Sequence, residues 1–421
     1  PGESFKVPQW ENGYQPLGGE AHPLLDGMFD ENPAKWTGNG SRSAQPNMYD
    51  WYETVKINYG VRPDGSHDFE SLPDEYSSMD YKAHFEFWKD KDVPDSWIKF
   101  RDIALYWIEK GVDGFRYDMS EMVPVEFWSY MNSAIKMKKE DTFLLAEIYN
   151  PSVYRDYIHK GKMDYLYDKV QLYDTIKHVM QGHGKTDNIP PIQEELKDIE
   201  HHMLHFLENH DEQRIASPDF AGSAEKGKPA MVVSTTISSS PTLIYFAQEL
   251  GEPGAEDAGF GKPTRTSIFD YIGVPHLQRW VNDKKFDGGR SSDEELELRD
   301  FYGRLLNYTI ESSAMAGSYQ DLHAYNRQQT EGYYDKVLSY ARWHDDEKLI
   351  ILANFDPEVT QEFDLRLPAD LIKTWNLNSE AYELTDQLYN TFKTQLRVEG
   401  DLAKVAIKLN PLESFILKIK N

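Results

Sequence analysis

Three carboxylic residues stand at the ends of apolar runs in the sequence. Asp118 follows the run GFRY, Glu147 follows FLLA, and Asp211 ends the run FLENHD. Short apolar runs that alternate with helix-like segments predict strands of a parallel sheet. The carboxyl ends of parallel strands lie on one rim, so the pattern predicts that these carboxylates converge. A converging set can supply a nucleophile and a general acid.

Helix capping is the alternative explanation, because Asp and Glu after a strand often cap the next helix. It is plausible for any one of these residues alone. It explains the set of three poorly, because converging carboxylates repel each other and because Arg116 and His210 stand beside them.

Arg116 lies two residues before Asp118. Side chains alternate along a strand, so Arg116 and Asp118 point to one face while Phe115 and Tyr117 point to the other. The cation favours the ionised form of Asp118. The apolar run before Glu147 favours a protonated carboxyl there. One ionised and one protonated carboxyl, roughly 5–5.5 Å apart, are what a retaining glycoside hydrolase needs.

The elements that would position these residues alternate between strands and helices in the middle of the chain. Helical spacing begins near residues 97, 124 and 153, and the predicted parallel strands are 114–118, 143–147, 165–167, 204–209 and 242–247. Near Gly317 the pattern changes to strands joined by turns, which predicts an antiparallel β domain. The predicted domains are a loop-rich segment 1–94, an α/β segment 95–316 and an all-β segment 317–421.

Composition narrows the possible partners. The 421 residues carry a net charge of −26, which argues against binding nucleic acid or anionic lipid. The chain has 0 cysteines, so disulfides and thiolate metal sites are excluded. No run approaches the ~20 apolar residues of a membrane span. Composition leaves the compartment open, with a periplasmic or extracellular location as the hypothesis.

GFRYD, LLAE and FLENHD, in this order, resemble the signature regions of the α-amylase family, glycoside hydrolase family 13. The resemblance runs from about Tyr81 to the end of the chain. It implies a (β/α)8 TIM barrel with a domain-B-like insertion and a C-terminal antiparallel β-sandwich domain. It implies that Asp118 is the nucleophile, Glu147 the acid/base and Asp211 the transition-state stabiliser.

The same resemblance suggests the residues that bind substrate. Arg116 matches the arginine beside the nucleophile, and His210 matches a donor to sugar hydroxyls. Arg214 matches a position that is often basic in members acting on oligosaccharides. Tyr149, just past Glu147, is a candidate for stacking on a sugar ring, with core packing as the alternative.

Two departures from the family pattern matter. Only five strands, matching the fourth to the eighth, are visible, so an additional N-terminal polypeptide is expected to complete the barrel. In addition, the residues after Asp118 read MSEMVPVEFW instead of carrying the Lys-His pair of many endo-acting amylases. This resembles the neopullulanase and cyclomaltodextrinase branch.

The resulting prediction is a retaining hydrolase of α-1,4-glucosidic bonds in starch-derived glucans and maltooligosaccharides. A transglycosylase on the same scaffold and a non-catalytic amylase-like partner protein are the alternatives. The chemistry needs no cofactor. A structural calcium ion is left open, since the acidic stretch 64–74 shows no ordered oxygen-ligand loop.

Overall fold

The computed structural model describes residues 50–51, 57–62, 65–256, 264–266, 273–378 and 380–420. The chain divides into two compact units, Pro1–Leu166 and Tyr167–Asn421. Most of the predicted loop-rich segment 1–94, including residues 1–49, lies outside the described residues.

The first unit alternates helices and parallel strands. Its elements are α1 (Tyr81–Trp88), α2 (Asp95–Glu109), β1 (Gly114–Tyr117), α3 (Val125–Lys138), β2 (Phe143–Ala146), α4 (Tyr154–His159) and the start of β3 (Tyr165–Tyr167). Asp80 caps α1 by accepting a hydrogen bond from the Ala83 N–H at 3.0 Å. Helix α2 follows Pro94 and ends before Gly111, whose φ of 94° is readily reached only by glycine.

Strand β1 pairs in parallel with β2, and β2 pairs in parallel with β3. In this register Arg116 lies opposite Leu145 and Tyr117 lies opposite Ala146. Gly114 lets the two strands approach closely, because a Cβ atom there would lie 2.2 Å from the Phe143 carbonyl oxygen. The pairing places the carboxyl ends of β1 and β2 side by side.

The second unit begins with helices and a second pair of parallel strands, β4 (Met203–Phe206) and β5 (Thr242–Leu243). Its helices are α5 (Asp174–Met180), α6 (Ile189–Glu195), α7 (Lys228–Thr236), α8 (Pro275–Val281), α9 (Asp293–Glu311), α10 (His323–Gln329) and α11 (Ala369–Thr374). Helix α9 starts with a capping box formed by Ser292 and Glu295.

The C-terminal part of the second unit is an eight-stranded antiparallel sheet. Its strands are β6 (Ser318–Asp321), β7 (Val337–His344), β8 (Glu347–Asn354), β9 (Gln361–Leu367), β10 (Ala381–Asp386), β11 (Lys393–Glu399), β12 (Leu402–Leu409) and β13 (Ser414–Ile419). They run in the order β6-β7-β8-β13-β10-β11-β12-β9. Leu352, Phe363, Leu384, Leu396 and Val405 come from five of these strands and share one buried core.

The predicted fold class is therefore confirmed. The five predicted parallel strands all form, and the predicted change to antiparallel strands after Gly317 is present. The parallel strands fit a partial TIM barrel, and an all-β domain follows them. The domain boundaries at residues 94 and 316 stay a prediction.

Candidate active site

Arg116 and Asp118 sit at the carboxyl end of β1, and their side chains meet there as predicted. Arg116 Nη1 donates a hydrogen bond to Asp118 Oδ1. Tyr117 points to the opposite side, where its hydroxyl donates to Asn132 Oδ1 at 2.9 Å and its ring packs on Trp128. The Asp118 side chain is 70% exposed, so this carboxylate is open to solvent and to a ligand.

Glu147 directly follows β2 and is held against the end of β1. Its N–H donates to the Tyr117 carbonyl oxygen at 3.0 Å, which extends the parallel pairing by one residue. Its side chain is only 7% exposed, in contrast to that of Asp118. Glu147 Oε2 lies 3.4 Å from Arg116 Nη2. The Arg116 guanidinium therefore contacts both carboxylates, one solvated and one buried.

The backbone after Asp118 also contacts Glu147. Met119 has a φ of 50°, in the left-handed region that a residue with a side chain seldom occupies. This conformation aims the Met119 N–H at Glu147 Oε2, at 2.8 Å. The next N–H, that of Ser120, donates to the Glu147 carbonyl oxygen at 3.1 Å.

Tyr149, half-buried, follows Glu147 by two residues. Its N–H donates to Glu121 Oε2 at 3.1 Å. Sequence reasoning did not identify Glu121. The signal in the sequence was the acidic side chain of Glu121 in the stretch after Asp118, where many endo-acting amylases carry a Lys-His pair.

His210 and Asp211 lie in the second unit, in the loop after β4. Asn209 shapes this loop, because its Oδ1 accepts hydrogen bonds from the N–H groups of Asp211 and Glu212, both at 2.8 Å. His210 Nε2 lies 3.0 Å from Asp211 Oδ2, and the Asp211 side chain is 40% exposed. Both side chains are therefore accessible to a ligand on this loop.

Arg214 is fully buried beneath the same loop. Its Nη1 donates to Glu208 Oε2 and to the Phe246 carbonyl oxygen, both at 2.8 Å. Glu208 Oε1 accepts from the Ile215 N–H at 2.7 Å. Burial raises the pKa of Glu208 to about 7, although the Arg214 guanidinium opposes the shift. Sequence reasoning missed Glu208, although it lies inside FLENHD, six residues before the arginine.

The predicted site residues thus form two groups. In the first unit Arg116 contacts both Asp118 and Glu147, with Tyr149 nearby along the chain. His210 and Asp211 contact each other in the second unit, above the buried Arg214. That the two groups share one pocket stays a prediction.

The described ranges contain no group of three or more His, Asp or Glu side chains suited to hold a metal ion. No step of the chemistry is assigned to a metal. Among the same residues, no helix has the length and apolar character needed to cross a membrane.

The parallel strands with carboxylates at their ends define the fold class as a partial α/β barrel, and comparison with known proteins identifies the family. Residues 76–294 match the profile described as alpha amylase, catalytic domain. Residues 329–420 match alpha amylase, C-terminal all-beta domain. The first match alone covers more than half of the chain, so the chain belongs to the α-amylase family.

The individual relatives are distant. An alpha-1,4-glucan:maltose-1-phosphate maltosyltransferase of Cereibacter sphaeroides is 23% identical over 77% of this chain and 42% of its own length. A cyclomaltodextrinase of Geobacillus thermopakistaniensis is 27% identical over 37% of this chain and 27% of its own length, which agrees with the predicted branch. This chain thus spans less than half of either relative.

The crystal structure of a maltogenic α-amylase from Thermotoga neapolitana has the same fold. It superposes with a TM-score of 0.57 at 18% identity, over 79% of this chain and 68% of that one.

Proposed function

We propose that this protein is a retaining glycoside hydrolase that cleaves α-1,4-glucosidic bonds in starch-derived glucans and maltooligosaccharides. The observation that carries the proposal is the contact of one guanidinium, that of Arg116, with both Asp118 and Glu147 at the ends of adjacent parallel strands. The different exposure of the two carboxylates suits two different roles.

In the proposed mechanism Asp118 is the nucleophile. Its carboxylate forms a bond to the anomeric carbon as the bond to the glycosidic oxygen breaks, and Glu147 donates a proton to that oxygen. Glu147 then takes a proton from water, the water attacks the anomeric carbon, and the ester to Asp118 breaks. Two displacements at one carbon leave its configuration unchanged.

The remaining predicted residues have proposed roles in binding. Asp211 would stabilise the transition state through sugar hydroxyls, and His210 would donate to a hydroxyl. Tyr149 would offer its ring beside the reacting sugar. Arg214 is buried, so its proposed role is to support the loop that carries Asp211.

The proposed substrate is an α-glucan, and a further polypeptide is proposed to pair with β1. Among the described residues, β1 pairs with β2 only, so its other edge carries unused backbone groups.

The test is product analysis with starch, pullulan, cyclodextrin and maltotriose, together with NMR of the first-formed anomer. We expect shorter maltooligosaccharides released as the α-anomer. Release of the β-anomer would contradict the retaining mechanism. A protein without activity on any of these substrates would contradict the enzyme proposal and favour a non-catalytic partner protein.

A transglycosylase is the second candidate, and the similarity to the maltosyltransferase favours it. The two activities differ in whether water or an acceptor sugar attacks the glycosyl-enzyme. Products longer than maltotriose, formed from maltotriose alone, would identify transfer.

A further inference from the structure

The turn after Asp118 holds the segment that follows β2 at both ends. Met119 N–H contacts the Glu147 carboxylate and Ser120 N–H contacts the Glu147 carbonyl oxygen. Glu121 contacts the other end of this segment: its Oε2 accepts hydrogen bonds from the N–H of Tyr149 at 3.1 Å and of Asn150 at 2.9 Å.

The Glu121 carboxylate is a suitable acceptor for the backbone N–H groups just beyond Glu147. The segment has left strand β2, which ends at Ala146, so the N–H groups of Tyr149 and Asn150 need another acceptor. Hydrogen bonds to a carboxylate are about twice as strong as those between neutral groups. The Glu121 carboxylate supplies that acceptor to both backbone N–H groups.

Glu121 is itself held in place. The Tyr157 hydroxyl contacts the carbonyl oxygens of Glu121 at 3.2 Å and of Val123 at 2.8 Å. The Trp128 indole N–H donates to the Ser120 carbonyl oxygen at 3.0 Å. Helices α3 and α4 supply these two side chains, so the turn is anchored on the body of the first unit.

We infer that Glu121 is a positioning residue for Glu147, an inference that rests on the proposed function. By fixing the backbone just beyond Glu147, it keeps the acid's carboxyl group aimed at the glycosidic oxygen. Misplacing a reacting group by about 1 Å can cost on the order of 10²-fold in rate. The cost should appear in the step that needs proton donation.

The test compares Glu121→Ala, Glu121→Gln and the control Glu86→Ala in the active protein. Glu86 is a 64% exposed residue of the same unit whose carboxylate pairs with Lys89. For Glu121→Ala we expect kcat on maltotriose to fall about 10²-fold with little change in KM. An aryl α-maltoside with a good leaving group should lose much less, because it needs little protonation. Glu121→Gln keeps an acceptor oxygen and should restore most of the activity.

Two further measurements separate positioning from general damage. Hydrogen exchange at the Tyr149 and Asn150 amides should quicken in Glu121→Ala and stay unchanged in Glu86→Ala. In a Glu147→Gln background, Glu121→Ala should add little further loss, because the group that it positions is already gone.

The possible outcomes have distinct meanings. Equal losses on both substrates, or unchanged amide exchange, would overturn the positioning role of Glu121 even if the protein is an active glycosidase. A wild-type protein inactive on both substrates would overturn the proposed function, and this inference with it.

Discussion

At the scale of single residues, Arg116 explains how two carboxylates share one site. It touches the exposed Asp118 and the buried Glu147, so its charge offsets the repulsion that would otherwise separate them. A lysine would be a poor replacement, because its single ammonium group cannot present two separate nitrogen donors to two carboxylates as the planar guanidinium does.

Replacing Glu147 by Gln tests the acid/base role. Without a proton to donate, the rate on maltotriose should fall roughly 10²–10⁴-fold, the usual share of general acid–base catalysis. Single-turnover glycosylation of an aryl maltoside with a good leaving group should fall much less. The matched control is Glu86→Gln, which should leave both rates unchanged. Equal losses for both substrates would mean that Glu147 is not the acid.

Replacing Arg214 by Ala tests whether that residue is a support or a sugar ligand. The change leaves the buried Glu208 without its partner, and such a loss typically costs about 3–5 kcal/mol of unfolding free energy. Denaturant unfolding would measure it. The double variant Glu208→Gln, Arg214→Ala should regain part of this loss, because no unpaired buried charge remains. A higher KM with unchanged stability would instead support direct sugar contact.

The sequence predicted the catalytic candidates but not the contacts that hold them. Asp118 and Glu147 stand out because they end apolar runs, a pattern that is readable along the chain. The Met119 and Glu121 contacts depend on a left-handed backbone conformation, which a methionine gives no reason to expect. The Glu208–Arg214 pair depends on burial, which residue spacing does not reveal.

At the scale of elements, strands were predicted better than loops. The predicted strands at 114–118 and 143–147 form as Gly114–Tyr117 and Phe143–Ala146, since apolar runs and close strand packing favour one register. The conformation of a loop depends instead on side-chain hydrogen bonds, such as those that the Asp211 and Glu212 N–H groups donate to Asn209.

Strand β8 offers a test of pH-dependent stability at Glu347. Its carboxylate accepts hydrogen bonds from Lys418 Nζ at 2.7 Å, the Ala314 N–H at 3.0 Å and the Ser312 hydroxyl at 2.9 Å. Partial burial would raise the pKa of Glu347, but these donors outweigh it and lower the pKa from 4.5 to about 2. The carboxylate thus links β8 and β13 to the segment between α9 and β6.

A lowered pKa means that the stabilisation is complete above pH 4.5 and is lost as the pH falls toward 2. Glu347→Gln should therefore lower the unfolding free energy at pH 7 by about 2 kcal/mol. The difference from wild type should shrink between pH 4.5 and 2. Thermal unfolding across this range measures both effects, with the 62% exposed Glu362, changed to Gln, as the control. A difference independent of pH would show that the charge of Glu347 is not responsible.

At the scale of the whole molecule, helix α2 carries more apolar surface than the first unit covers. Trp97, Ala104 and Ile108 are buried on one face. Ile103 and Tyr106 are each 53% exposed on another. An amphipathic surface helix normally has one apolar stripe, whereas a helix with apolar residues all round is normally buried.

The expected occupant of this face is further βα polypeptide. Among the described residues the outer edge of β1 is unpaired, and Trp107, 49% exposed, adds to the apolar face of α2. A strand paired with β1 and its helix against α2 would satisfy both surfaces. Three additional βα units need on the order of 100 residues. Intact-mass measurement of the active preparation should therefore find more polypeptide than 48.9 kDa.

A variant on α2 tests whether the additional polypeptide packs against this face. Trp107→Lys should weaken the association or folding of the additional polypeptide and reduce activity, because a buried lysine without a partner is costly. Ile310→Lys, at an 82% exposed apolar position on α9, is the matched control and should have little effect. Full activity from a single species of 48.9 kDa would show that this chain needs no further strands. An equal response of the two variants would show that the α2 face is ordinary solvent-exposed surface.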